Sequence, residues 1–385
     1  MVQATFEFSP LAAAAAGATA SPATARNSHR PAHPAGADAI DSVGFEIGWD
    51  HAHHRVTPPL GHLHQPNPVH QGWLAGRSAF GARSLAATAA VRQWLALRLQ
   101  AWQEGTVFES VQVNPHFLAR IDALDCPVSR QTLTLCAQLP SDASVTRLNP
   151  SAAYAAGNLA VLSLRVAQAS SAGAAGAGGL SLDEQARLDV LRSFATPLPH
   201  AQAALLPLRV LPPNRVRVIN PVQALQVMLT LQFLLAGYAR RLLGLAVLMP
   251  SSELRQAFQI FMHTLLARRL AAGQGASATD MRRALEDSWA DALVNRRWQR
   301  LATRLSAADC ELLLQRASQR GLVVGGSRWV SSASATEGWA LEGCALPQRA
   351  AAAPPWPLDQ AGVGAVAGLS RPGMARSLGS QKLAS

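Results

Sequence analysis

The chain has 385 residues and a formal net charge of +11 at pH 7, carried by 33 arginines and a single lysine, Lys382. A guanine- and cytosine-rich coding sequence favours arginine over lysine codons, but aspartate and glutamate also have codons rich in guanine and cytosine, so the shortage of acids needs another cause. Residues 1–60 carry 3 basic and 5 acidic side chains, whereas residues 221–330 carry 14 and 7. The excess positive charge is therefore local, and a local basic face attracts polyanions such as nucleic acid or an acidic surface.

Residues 1–40 and 332–385 are rich in Ala, Pro, Gly and Ser and poor in large apolar side chains. They bury too little surface to offset the entropy of ordering, so both ends are expected to be disordered. The Ala run at 12–16 follows no positive region and precedes no sustained apolar core, which argues against a secretory signal. Four cysteines at 126, 136, 310 and 344 form no CxxC pair, which fits free thiols and a cytoplasmic location.

Residues 41–125 form an N-terminal region with a Pro- and His-rich loop at 51–70 and a helix whose apolar positions Val91, Trp94, Leu95, Leu99 and Trp102 keep a helical period. Asn114–Pro115 opens a short helix to about Ile121. The loop holds His51, His53, His54, His62 and His64, and the HxHH and HxH spacings are able to present several imidazoles to one Zn²⁺ or Cu²⁺. A polar connector is the competing reading.

Three short matches follow in order: Cys126-Pro127-Val128-Ser129, Ser144-Val145-Thr146-Arg147-Leu148-Asn149 and Tyr154-Ala155-Ala156-Gly157-Asn158-Leu159. Together they make residues 126–169 resemble a degenerate HNH-type endonuclease element. The resemblance implies a two-stranded hairpin followed by a helix that together grip one divalent ion, with a base to activate water. It places Thr146 where the family has a metal-binding Asp, Arg147 at the base position, Asn158 as the residue that holds the local backbone, and Ala167 at the last ligand position. Asp142 is the nearby acid that stands in if the register slips. With two ligand positions lost, no cofactor is expected, and a divalent metal enters only if the element is active.

A Gly/Ala/Ser linker at 170–180 leads into a basic helical region, 181–331. Ser181 and Glu184 make a capping box, and helices are expected at roughly 221–248, 252–271, 280–304 and 307–320, with Ser251, Thr279 and Ser306 as N-caps. A short hairpin at 322–331 closes the region. The 22 uncharged residues between Arg217 and Arg240 have the length of a membrane span, but Gln223, Gln226 and Gln232 interrupt them and Asn220–Pro221 starts them like a helix in water. Membrane insertion is accordingly unexpected. Arginines come in pairs at 240–241, 268–269, 282–283 and 296–297, and Arg296, Arg297, Arg300 and Arg304 share one side of a helix, with Asp287 and Asp291 as possible partners.

The sequence thus describes a mainly α protein with a small ββα element, a short C-terminal β-hairpin and disordered termini. Its expected function is association with nucleic acid through Arg147, Arg240, Arg241, Arg296, Arg297, Arg300 and Arg304, with Asp142, Arg147 and Asn158 as remnants of a catalytic set. An active metal-dependent endonuclease is one alternative; a helical interaction or membrane-associated protein is the other.

Overall fold

The computed structural model of the protein describes residues 39–135, 138–171, 179–273, 275–323 and 331–341. These residues form fourteen α-helices and one two-stranded sheet. The expected linker and closing hairpin fall largely on residues 172–178 and 324–330, outside the described residues, as do the two ends.

The N-terminal layer opens with α1 (Ala39–His53) and α2 (Pro68–Phe80). The polar loop expected at 51–70 is shorter than that, because His51 and His53 belong to α1 and His70 to α2. Gly44 lies against Pro68, Gly48 against Val69 and Gly76 against Ala52, so the two helices run parallel and close together. A Cβ on Gly48 would sit 1.9 Å from the Val69 carbonyl oxygen, and one on Gly72 would sit 1.9 Å from that of Phe45. Only glycine admits that approach. The third helix, α3 (Ala89–Gln103), is capped by the Thr88 hydroxyl, and Gly105 beyond its end takes a φ of 62°. Arg98 on α3 pairs with Asp50 on α1, and Ile47, Val69 and Leu99 form the small core between the three helices.

Helix α4 (Pro115–Ile121) starts at the Asn114 cap as expected. Strands β1 (Ala143–Arg147) and β2 (Leu159–Ser163) pair antiparallel with Val145 opposite Val161, and α5 (Leu164–Ser171) follows directly. The order is therefore strand, strand, helix. Every residue of β2 is buried, because one face meets Leu97, Leu118 and Ile121 and the other meets the larger helical core.

The C-terminal helices are α6 (Leu182–Phe194), α7 (His200–Leu205), α8 (Pro221–Gln232), α9 (Tyr238–Ala246), α10 (Ser252–Ala271), α11 (Ala278–Ser288), α12 (Ala292–Ala302), α13 (Ala307–Gln319) and α14 (Ser332–Ala335). Ser181, Ser251 and Ser306 cap α6, α10 and α13 as their side chains predict. Three expectations need correction. The single helix expected at 221–248 ends at Gln232 and restarts at Tyr238 after Gly237, where φ is 68°, and no helix of the described residues is long and apolar enough to cross a membrane. The helix expected at 280–304 is two, since Asp291 caps a new start at α12, and α11 is capped by Ser277 rather than Thr279. Asn220 does precede α8, but its side chain turns away from the cap to accept from the Leu198 N–H and donate to Ser193 and Thr196 carbonyls.

The glutamines that punctuate the apolar run are satisfied inside the protein. Gln223 donates to the Ser193 hydroxyl, Gln226 to the Leu206 carbonyl and Gln232 to the Leu322 carbonyl. Buried amides with such partners avoid the desolvation penalty that unpaired ones carry. Phe261, Trp289 and Trp298 meet at the centre with ring centroids 5.5–5.7 Å apart, and the core they anchor is continuous from Cys126 to Trp339.

Candidate functional site

Asn158 lies at the tip end of the hairpin and is completely buried. Its Oδ1 accepts from the Asn149 N–H at 2.8 Å, and its Nδ2 donates to the Asn149 and Ala153 carbonyls at 3.0 Å each. The side chain therefore ties the two ends of the 149–158 loop together. Gly157 beside it has a φ of 91° and faces the Arg217 side chain.

Arg147 ends β1 and folds back over the same loop. Its guanidinium donates to the Pro150 and Ala152 carbonyls and to Glu104 Oε2, 3.0 Å away, and lies 4.5 Å from the Tyr154 ring centroid. Tyr154 donates to the same Glu104 oxygen, and burial together with that carboxylate raises its phenol well above the ordinary range. Arg147 is thus engaged within the protein.

Asp142 precedes β1, at the far end of the hairpin from Asn158. Its carboxylate accepts from the Thr134 hydroxyl at 2.5 Å and from the Leu139 N–H. The length of β1 separates the two ends, roughly 16 Å at about 3.3 Å per residue. Asp142 and Asn158 do not converge.

The loop between the strands is also enclosed. Residues 152–162 are all buried. Ala153 donates its N–H to the Trp339 carbonyl, the Trp339 indole donates to the Ala156 carbonyl, and Tyr154 exchanges backbone hydrogen bonds with Val107 and Glu109. The donor set does not fit a divalent ion. Hard cations take oxygen ligands, carboxylates above all, and the two lost ligand positions are Thr146 and Ala167.

The histidines do not assemble either. His51 is buried on α1 with Nδ1 2.8 Å from the Ile47 carbonyl, and burial lowers its pKa. His53 stacks on Phe80, and His54 meets the edge of Trp94. His62 contacts the Gln103 amide from a separate turn, and His64 follows it. Among the described residues, no group of three or more His, Cys, Asp or Glu side chains is placed to hold a metal ion.

The arginine pairs divide by what they touch. Arg241 donates to Gln232 and to the Gly321 and Leu322 carbonyls, while its neighbour Arg240 is exposed. Arg268 pairs with Asp291; Arg269 donates to the Phe233 carbonyl and lies 4.0 Å from the Tyr238 ring centroid. Arg282 pairs with Glu286, and Arg283 with Asp125. These side chains staple helices to one another.

Helix α12 is different. Arg296, Arg297, Arg300 and Arg304, the last just beyond its end, form no ion pair or hydrogen bond with another described side chain. The two acids expected as partners, Asp287 and Asp291, are committed elsewhere. Asp287 binds Arg130 at 2.6 Å, and Asp291 caps α12 through the Leu293 and Val294 N–H groups while pairing with Arg268. The Leu293 N–H foremost, with Val294 and Arg268, holds the Asp291 carboxyl below its usual range.

Arg297, Arg300 and Arg304 line a shallow groove of about 500 Å³ against Glu253, Gln256 and Ile260 of α10, with Ala257 between. Arg296 points elsewhere on the helix and does not line it. The α10 wall was not singled out by sequence, although positions 253, 256, 257 and 260 keep the spacing of one helical face. Its signal was too ordinary to separate from any amphipathic helix.

The chain matches no known family model, no curated protein and no solved structure. Its class rests on its own fold and groove: a mainly helical protein with a small strand–strand–helix element and an unpaired arginine face.

Proposed function

We propose that the protein binds nucleic acid through the arginine face of α12 and does not cut it. The carrying observation is that Arg297, Arg300 and Arg304 line one groove and pair with no other described side chain, whereas the other arginine pairs are largely consumed by structure. Unpaired guanidinium groups facing water are available to phosphate oxygens, and each phosphate neutralised releases condensed counterions.

Cleavage is not part of this reading. Asp142 and Asn158 stand at opposite ends of the hairpin, and Arg147 is held by three oxygens and a ring. The strand–strand–helix element serves instead as a wedge between two apolar cores.

Fluorescence anisotropy with labelled nucleic acid across a salt series tests the proposal. Binding is expected to weaken steeply with salt, and the variant R297A/R300A/R304A is expected to lose about tenfold or more at low salt. Its circular dichroism and melting temperature should stay those of the parent, since none of the three stabilises a neighbour. Absent binding at low salt, or equal binding by the variant, would overturn the proposal.

A further inference from the structure

The groove between α10 and α12 has a composition that selects among nucleic acids. Resting on the reading above, we infer that it takes the paired-strand backbone of a duplex in preference to a single strand, without reading sequence.

Two observations support this. None of the residues lining the groove is aromatic. Proteins that hold single strands draw much of their affinity from bases stacked on aromatic rings, and the residues lining this groove offer none. What the groove offers is three guanidinium groups, one carboxamide from Gln256 and the aliphatic surface of Ile260, which is 39% exposed. Guanidinium groups recognise phosphate oxygens bidentately, and phosphate contacts carry no sequence information.

The second observation is spacing. Arg297 to Arg304 covers seven residues, or about 10 Å of rise if the helical geometry continues through Arg304. Along that length a duplex presents roughly six phosphate charges, one per about 1.7 Å, whereas a single strand stacked in the same way presents about three. The same arginines therefore meet twice the charge density on a duplex.

Glu253 tempers the groove without setting its preference. Its carboxylate shares the groove with the three arginines, yet it makes no ion pair with any of them. A carboxylate there repels an anion in proportion to the charge the anion brings, so Glu253 weakens the groove for duplex and single strand alike.

The test compares a short labelled duplex with each of its separated strands, using the full chain at matched salt. The duplex is expected to bind roughly tenfold tighter than either strand, with a log–log salt slope of about −3 for three contacts. Two duplexes of unrelated sequence should bind alike. Glu253→Gln should tighten binding to both, and to the duplex at least as much as to the single strand, and R297A/R300A/R304A should weaken both. A single strand bound as tightly as the duplex, and weakened by the triple variant, overturns the duplex preference while leaving nucleic-acid binding in place. Loss of discrimination between two duplex sequences is likewise expected, so a strong sequence preference overturns the inference. No binding of either ligand, or none that depends on the three arginines, overturns both readings.

Discussion

Asn158 illustrates how much one buried amide can hold. Its three hydrogen bonds close the 149–158 loop from inside, in a place no water reaches. Truncation would leave the Asn149 N–H and the Ala153 carbonyl without partners, while the Asn149 carbonyl keeps the Ala152 N–H, and each such buried orphan costs about 1–3 kcal/mol. Asn158→Ala is therefore expected to lower stability by roughly 3 kcal/mol in urea unfolding, with nucleic-acid affinity per folded molecule unchanged. A loss of affinity without loss of stability would show that the loop belongs to the binding surface. His51 makes a second residue-scale case. Burial, against the pull of the Ile47 carbonyl and Asp50, depresses its pKa below the unfolded value of 6.5. The unfolded chain then binds the proton first, so the stability this group contributes is intact above pH 6.5 and declines as pH falls from there through the folded pKa. His54 and His62 shift the same way, burial again being the main cause. The melting temperature of His51→Gln should change less than that of the parent between pH 7.5 and pH 5; an equal change would place the pH dependence elsewhere.

Elements show where reading the chain succeeds and where it stops. The caps at Asn114, Ser181, Ser251 and Ser306 act locally, through a side chain and an N–H three residues away, and each helix start they mark is present. The strand–strand–helix order is an expectation of the HNH-type resemblance and not of local pattern. The breaks at Gly237 and Asp291 were harder to read, because the apolar period runs straight through both and only the backbone turn ends the helix. The candidate site was legible on one side only. The α12 arginines stand out in sequence, but whether a nearby acid neutralises them depends on Arg130 and Arg268, distant partners that claim Asp287 and Asp291 first. The parallel approach of α1 and α2 was invisible for a related reason, since Gly44, Gly48, Gly72 and Gly76 look like poor helix formers until the partner backbone is beside them. Adding a methyl separates these roles. Gly48→Ala puts a Cβ 1.9 Å from a backbone oxygen and should cost several kcal/mol, about 3 or more, by forcing the helices apart. Gly244→Ala on α9 meets only the Leu322 side chain at 3.5 Å and should stabilise by about 0.5–1 kcal/mol, the usual gain inside a helix. Thermal unfolding of the two variants checks both signs.

At the scale of the molecule, stability is unevenly distributed, and that sets what opens first. The main core runs without a break from Cys126 and Val128 through β2, α6, α8, α10 and α12 to Trp339. Trp339 is fully buried, and both its indole N–H and its carbonyl fasten the 152–156 loop, so the last described segment is part of that core. The N-terminal layer is held differently. Its own buried cluster is Ile47, Val69 and Leu99, supplemented by the glycine-mediated contact of α1 with α2 and the pairing of Arg98 with Asp50. Three buried aliphatic side chains contribute only about 1.5–3 kcal/mol each before entropy is subtracted. Local opening free energy follows the apolar contact that must be broken, so α1 and α2 should open well before the helices around Trp289 and Trp298. Native-state hydrogen exchange would show this as faster exchange of amides at 45–52 and 71–79 than at 225–231 and 258–265, the latter exchanging only on global unfolding. Trp339→Ala should then cost about 3–5 kcal/mol and raise exchange at 225–231 together with 258–265, because one continuous core transmits the loss. If exchange at 45–52 rose by the same amount in that variant, the N-terminal layer would be part of the same cooperative unit and its smaller core would not mark a separate one.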